Sequence, residues 1–299
     1  MKLLTHNLTH KLSQKKTNLI HNININIITF STSWYIMKSK FPVEIYLNWI
    51  KNLLSIVNNF NLVIYTDASS FKYIVYLIDN NNKNIKIIIK PIEEFYTYKY
   101  KDFWINNNNV SDMELHKNID WKLNMLWNEK VFLVQDTIQH KYFNSIYYGW
   151  CDIGYFRNNP NDTHTTFLKN WPNKSNFMKE QFNNECIHYG LVQNDTTIFD
   201  NLSNEIKQHY INDLKTPPTN KYNEISFAGG FFILKENIIN RYAKIYDDKL
   251  SYYFSNNYFI KDDQLIIMDI IFTNPELFYI HNENSELYNN WFMFQRILL

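Results

Sequence analysis

Residues 147–157 read Tyr-Tyr-Gly-Trp-Cys-Asp-Ile-Gly-Tyr-Phe-Arg, directly after Ile146. The first half is apolar and aromatic and reads as a strand, and that strand ends on Asp152. In open α/β sheets, ligands bind beyond the carboxyl ends of the strands. A carboxylate at such a tip is a natural ligand for a hard cation such as Mg²⁺ or Mn²⁺, which holds phosphates while keeping some of its waters. Gly154 would let the backbone turn or let a ligand come close. Arg157 carries the planar fork that suits a phosphate. A strand-ending Asp in an Asx-type turn, followed by a surface Arg, accounts for the same residues without any ligand.

Rarity adds weight to the segment. The chain has only five glycines, Gly149, Gly154, Gly190, Gly229 and Gly230, where ordinary usage of about 7% would give roughly 21. Alanine and arginine are as scarce, and Asn, Lys, Ile, Tyr and Phe fill the space, a skew that an AT-rich genome would produce. Four of the five glycines fall in two segments. The second of these is Ser226-Phe227-Ala228-Gly229-Gly230-Phe231-Phe232, where small residues in a strand remove side chains so that a substrate or another backbone can approach. A third segment, Lys261-Asp262-Asp263-Gln264, opens an apolar helix. Acids in a first turn are also explained by capping and the helix dipole.

Outward from these segments, the chain alternates. IITFSTSW from Ile27 reads as a strand entering a loop. Pro42 opens a helix in which Ile50, Leu53, Leu54 and Val57 recur at helical spacing. LVIYTD (62–67) is a second strand, FKYIVYLI a second apolar stretch, and IKIIIK (85–90) a third strand stopped by Pro91. This order predicts parallel βαβ units in an α/β sheet. Residues 91–116 read as loop and short helix, and IDWKLNMLWNEKVFLVQDTI reads as a helix with Leu123, Leu126, Trp127 and Val131 on one face. Residues 157–185 are loop-like, and Pro217–Pro218 mark a break. EISFAGGFFILK (224–235) is expected to be a strand with a double-glycine bulge. Two helices and a last strand, ELFYIH (276–281), follow. The expected organisation is a polar N-terminal extension over 1–25 and one domain over 26–299.

Composition excludes several classes. Thirty basic and 29 acidic residues give a net charge of +1, too weak a field to gather nucleic acid or anionic lipid. No apolar run is long enough for a transmembrane helix, and the N-terminus lacks the apolar core of a secretory signal. Cys151 and Cys186 form no CxxC pair. A soluble, reduced, cytoplasmic protein is the expectation. The sequons at Asn161 and Asn194 carry no weight in so Asn-rich a chain. No GxxxxGK[ST], GxGxxG or G-x-S-x-G occurs, which argues against a P-loop enzyme, a dinucleotide-binding protein and a serine hydrolase.

The strand–helix opening, LVIYTD, the WKLN…WNEK helix, YYGWCDIGYFR, FAGGFF and the late DDQ helix, in this order, resemble the WlaTC/HtrL (YibB-like) group of glycosyltransferase-like proteins with the GT-A fold. The resemblance covers roughly residues 27–285 and is carried most by the aromatic strand ending Asp-x-Gly-x-x-Arg. It implies a single α/β domain with a mixed, mostly parallel sheet, a Rossmann-like nucleotide-binding half and an acceptor half. The implied activity is metal-dependent transfer of a sugar, of the hexosyltransferase type. The donor would be a nucleotide sugar, with a UDP-sugar favoured, and the acceptor a glycan or other hydroxyl. Asp152 matches the acid at the place of the Asp-x-Asp motif, which binds the donor diphosphate through Mn²⁺ or Mg²⁺. Gly154 stands where the second acid would be, so a water or His281 is left to complete the shell.

On the nucleoside side the resemblance places Thr29, Ser31 and Thr32 after the first strand, and Thr66 and Asp67 at the end of the second. Lys122 or Lys130 would approach the diphosphate with Arg157, and Gly229 and Gly230 would line the sugar pocket. Asp263 is the implied catalytic carboxylate. A strand-end turn, a solvated lysine and a core histidine explain several of these residues equally well. The competing reading is a nucleotide-sugar-binding protein without transfer activity, which the missing second acid suggests.

Overall fold

The computed structural model describes residues 26–193, 195–212, 227–283 and 285–299. The expected extension over 1–25, the Pro217–Pro218 break, Ser226 and Asn194 lie outside the described residues. In chain order the main elements are β1 (Ile28–Ser33), α1 (Val43–Leu54), β2 (Asn61–Thr66), α2 (Ala68–Ile74), β3 (Ile85–Ile89), α3 (Lys101–Asn109) and α4 (Trp121–Gln139). They continue through β4 (Tyr147–Cys151), β5 (Ile187–Gly190), α5 (Thr196–Ile211), β6 (Phe231–Lys235), α6 (Ile239–Ser255), α7 (Asp263–Thr273) and β7 (Phe278–His281).

The strands form one seven-stranded sheet in the order β3-β2-β1-β4-β6-β5-β7. Every pairing is parallel except those of β6, which runs antiparallel to β4 and to β5. This is the expected single α/β domain with a mixed, mostly parallel sheet. Helices on both faces bury both sides of the inner strands β1, β2 and β4, every residue of which is buried. Ile28, Phe30, Leu62 and Ile64 join the core on the α1 side, while Val63, Tyr65, Tyr148 and Trp150 join the core under α4, α6 and α7.

The local chemistry explains the boundaries. Pro42, which lacks an N–H, occupies the N-cap of α1. Asp67 caps α2 by accepting from the Ser70 amide, and Asp120 caps α4 by accepting from that of Lys122. No helix among the described residues is long and apolar enough to cross a membrane.

Four elements differ from the sequence reading. Gly229 and Gly230 precede β6 in a turn instead of bulging within a strand, and the ladder with β4 begins at the Cys151–Phe231 pair. Residues 101–109 form a full helix, packed through the buried Trp104. β5 and α5 were not foreseen: IHYG is too short and too polar to stand out, yet His188 pairs with Ile233 and the whole strand is buried.

Candidate functional site

Strand pleating places Trp150 and Asp152 on the same side of β4, since successive side chains alternate. The Trp150 indole N–H donates to Asp152 Oδ1 at 2.6 Å, and the Asp152 amide donates to Gly230 O at 2.8 Å. The next partner comes from above the sheet. Leu123, Leu126, Trp127 and Lys130 recur at i, i+3, i+4 and i+7 along α4, so Lys130 lies on the face turned to the sheet. Its Nζ lies 3.1 Å from Asp152 Oδ1 and 2.8 Å from Asp263 Oδ2, and donates to Gly229 O at 2.9 Å. The three ammonium protons thus meet three acceptors.

The two acids that open α7 divide their work. Asp262 caps the helix by accepting from the Leu265 amide, while Asp263 turns inward to Lys130. Gly229 is required by this arrangement, because a Cβ there would stand 2.7 Å from Asp263 Oδ2; a Cβ on Gly230 would stand 3.0 Å from Asp152 Oδ2. Burial lifts the Asp263 carboxyl to about 6, against the opposing pull of Lys130. Burial also works against the charge on Lys130, but Asp152 and Asp263 outweigh it and its pKa is raised. The side chains of Lys130 and Asp263 are almost sealed from solvent, whereas that of Asp152 is 39% exposed.

A cleft of two joined compartments opens over this cluster. One, of about 140 Å³, lies beyond the carboxyl ends of β1 and β4 and is walled by Trp34, Tyr35, Tyr46 and Trp49. The other, of about 380 Å³, reaches Gly229, Gly230, Asp263, Trp291 and Phe292. Lys40, Phe41, Trp127, Lys130, Asp152, Gly154 and Arg157 line both. The chain leaves β1 towards β2 on one side, while β4 lies on the other, so the first compartment sits at the topological switch point of the sheet.

Arg157 donates from Nε to Gly154 O at 2.8 Å, and its guanidinium lies 4.5 Å from the Trp49 ring and 5.2 Å from that of Phe292. The residue that comes close to Gly154 is Trp49, whose ring would stand 2.7 Å from a Cβ. The far wall is built by a C-terminal segment. Phe294 stacks on Phe231, Gln295 donates to Tyr155 O at 2.8 Å, and Trp171 donates to Phe294 O at 3.0 Å.

Asp152, Asp263, Arg157, Gly229 and Gly230 are therefore brought together, and of the two lysines it is Lys130, not Lys122, that joins them. Lys122 stands in the first turn of α4 with its ammonium 5.9 Å from the Trp121 ring. The expected nucleoside-side residues are bonded within the fold. Thr29 bonds Ser145 at 2.8 Å, Ser31 bonds Thr137 beneath α4 at 2.7 Å, and Thr66 donates to Trp34 O at 2.8 Å. Asp67 is the cap of α2, and Thr32 Oγ1 is buried with no hydrogen-bond partner among the described residues. His281 does end a strand, but β7 is the outer strand, separated from β4 by β6 and β5. There it lies 3.1 Å from the ring of His188, packed against Phe182 and Phe294.

Sequence reasoning missed Lys40 and the aromatic walls. Lys130 had a signal in the i, i+3, i+4, i+7 spacing from Leu123. Lys40 had none, because a lysine in a polar loop gives no indication of where the loop folds.

The donor set does not fit a resident Mn²⁺ or Mg²⁺. Such ions take several oxygen ligands. Here one Asp152 oxygen already accepts from Trp150 and faces Lys130, Gly154 replaces the second acid, and His281 is elsewhere. The ground between Asp152 and Asp263 is held by an ammonium. Among the described residues, no group of three or more His, Cys, Asp or Glu side chains could hold a metal ion.

The fold and cleft define an α/β protein with a cleft at the switch point of its sheet. A family model described as a bacterial protein of unknown function (HtrL_YibB) matches residues 28–298, and the chain belongs to that family. No curated protein matches it. Among solved structures, mouse xyloside xylosyltransferase 1 in its apo form is similar at 11% identity, covering 85% of each chain with a TM-score of 0.43. The galactosyltransferase LgtC, in complex with donor and acceptor sugar analogs, is similar at 9% identity. That match covers 86% of this chain and 73% of that one, with a TM-score of 0.45.

Proposed function

We propose that the protein transfers a sugar from a nucleotide sugar, with a UDP-sugar favoured, to a hydroxyl of a glycan or similar acceptor. The observation that carries this reading is the placement of the cleft. It joins an aromatic compartment at the switch point, suited to a nucleoside, to a second compartment floored by a buried carboxylate. The resemblance of the YYGWCDIGYFR, FAGGFF and DDQ segments to glycosyltransferase-like sequences points the same way.

In this reading the nucleoside lies among Trp34, Tyr35, Tyr46 and Trp49, and the sugar passes Gly229 and Gly230 towards Asp263. Ionised Asp263 takes the proton of the acceptor hydroxyl as that oxygen attacks C1 of the sugar. The bond from C1 to the diphosphate oxygen breaks, and the electron pair leaves with the diphosphate. The Lys130 ammonium keeps Asp263 ionised near neutral pH, and Asp152 and the Gly229 carbonyl keep Lys130 in place. This is the inverting course; in a retaining transfer Asp263 orients substrate instead. The implied Mn²⁺ or Mg²⁺ has no step here, because the donor set does not fit it.

A thermal-shift panel of UDP-, GDP-, CMP- and dTDP-sugars, followed by a transfer assay with any stabilising donor, tests the reading. Stabilisation by none of them would sink it. Replacing Asp263 by Asn should lower turnover by about 10²–10⁴-fold, the usual share of a general base, with donor binding kept. The second reading, a nucleotide-sugar-binding protein without transfer, is favoured by the grip of Lys130 on Asp263 at 2.8 Å. It predicts the same donor shifts with no product for wild type.

A further inference from the structure

We infer that the protein holds a diphosphate by a side-chain clamp of Lys40 and Arg157, without a divalent cation. The inference rests on the nucleotide-sugar reading for the identity of the ligand, but its geometry is independent of it.

The cleft carries three cations and three acids: Lys40, Lys130 and Arg157 against Asp152, Asp262 and Asp263. They are not equivalent. Asp262 is spent on the cap of α7. Lys130 is spent on Asp152, Asp263 and Gly229 O, so all its donors are used within the protein. The other two cations have no such commitment. Arg157 uses Nε on Gly154 O, and among the described residues its terminal nitrogens have no hydrogen-bond or ion-pair partner. The same holds for Lys40, whose ammonium stands 4.5 Å from the Trp127 ring.

Both residues line both compartments, so they flank the junction that the diphosphate of a nucleotide sugar must cross. Aromatic rings support each of them: Trp127 under Lys40, and Trp49 and Phe292 beside Arg157. A cation placed on a ring face gains from the quadrupole and is partly stripped of water, which strengthens its grip on an anion. Lys130 offsets only part of the charge of Asp152 and Asp263, but its donors are all engaged, so Lys40 and Arg157 are the cations of the cleft with donors left for a ligand. Those donors meet the two charges of a diphosphate diester, and the missing metal ligands become intelligible.

The test is calorimetric titration of the full chain with UDP and with inorganic pyrophosphate, in excess EDTA and then in excess Mn²⁺. The expected result is binding of both ligands in EDTA, with Kd changed less than about threefold by Mn²⁺. Lys40→Met and Arg157→Gln should each weaken binding about tenfold or more in EDTA, the scale of one charge-assisted contact. Arg157→Lys should recover part of the loss. Melting temperatures near that of wild type confirm that each variant is folded.

UDP binding that appears only with Mn²⁺ and vanishes in Asp152→Asn would overturn the clamp while leaving the nucleotide-sugar reading intact. Pyrophosphate binding that depends on Lys40 and Arg157, with no response to any nucleotide, would uphold the clamp and overturn that reading. No binding of either ligand by wild type would overturn the clamp.

Discussion

Replacing Lys130 by Met removes the one charge that Asp152 and Asp263 share while leaving a side chain of similar length. Breaking a buried ion pair by deleting one partner costs about 3–5 kcal/mol, because the other charge is left uncompensated. Asp152 is 39% exposed and can be rehydrated, so the penalty falls mainly on Asp263, whose side chain is only 6% exposed. With an unfolding entropy of about 2.1 cal/mol/K per residue, a chain of this size loses roughly 0.6 kcal/mol of stability per kelvin near its midpoint. The substitution should therefore lower Tm by about 5–8 K at neutral pH.

The loss should depend on pH with a definite sign. The Asp263 carboxyl titrates at about 6 in the folded protein, above the usual carboxylate range, because it is buried. A folded pKa raised in this way favours the folded state at acid pH, an advantage lost as pH rises through about 6. Below that point wild type carries a neutral Asp263 as well, so the deleted ion pair no longer separates the two proteins. Urea melts at pH 5 and pH 7.5 should show a smaller cost at pH 5. Adding Asp263→Asn to Lys130→Met should restore about 2 kcal/mol or more, as expected for directly coupled residues. A cost under about 1 kcal/mol at pH 7.5, equal costs at both pH values, or simple additivity would refute the reasoning.

Three further outcomes are expected. If Asp263 is the base, kcat/KM for transfer should fall on the acid side with a midpoint near its folded value of about 6, and a flat profile from pH 5 to 8 would count against the assignment. Gly229→Ala drives a methyl to 2.7 Å from Asp263 Oδ2, so turnover should drop by about tenfold or more while the melt shifts little; unchanged turnover would show that Asp263 need not be where it is. Burial holds the His281 and His188 rings neutral, lowering them to about 4 and about 3. Their contribution to stability is therefore present above the unfolded value near 6.5 and lost as pH falls below it. Asp263 acts in the opposite sense, so the comparison must be between proteins: His281→Phe should flatten the acid loss by about 1.4 kcal/mol per pH unit relative to wild type, in urea melts from pH 6 to 4.5.

The half of the sheet from β1 to β4 was legible in the sequence because its signals are local. Pro42 and the apolar spacing fix α1, the run at 62–66 is a strand buried on both faces, and the short β-branched run at 85–89 is stopped by Pro91. The tip of β4 was legible for the same reason. What could not be read was strand order, and the place of His281 depends on it. His281 was rightly placed at a strand end, but the insertion of β6 and β5 between β4 and β7 carries it away from Asp152. β5 itself is four residues held by its neighbours and by Met293 over Gly190, contacts made by distant parts of the chain. The hydroxyls of Thr29 and Ser31 look like ligand donors in a list of residue types. Pleating turns both inward, where they bond Ser145 and Thr137.

The wall formed by Trp291, Phe292 and Phe294 links the site to the direction of synthesis. Strands β1 to β4 and the acids Asp152 and Asp263 emerge from the ribosome first. The larger compartment is closed only when residues 289–298 have followed and packed on Phe231 and Tyr155. Until those residues are in place, Phe231 lacks its stack on Phe294 and the Tyr155 carbonyl lacks its bond from Gln295, so the larger compartment is assembled from segments that lie far apart in the sequence.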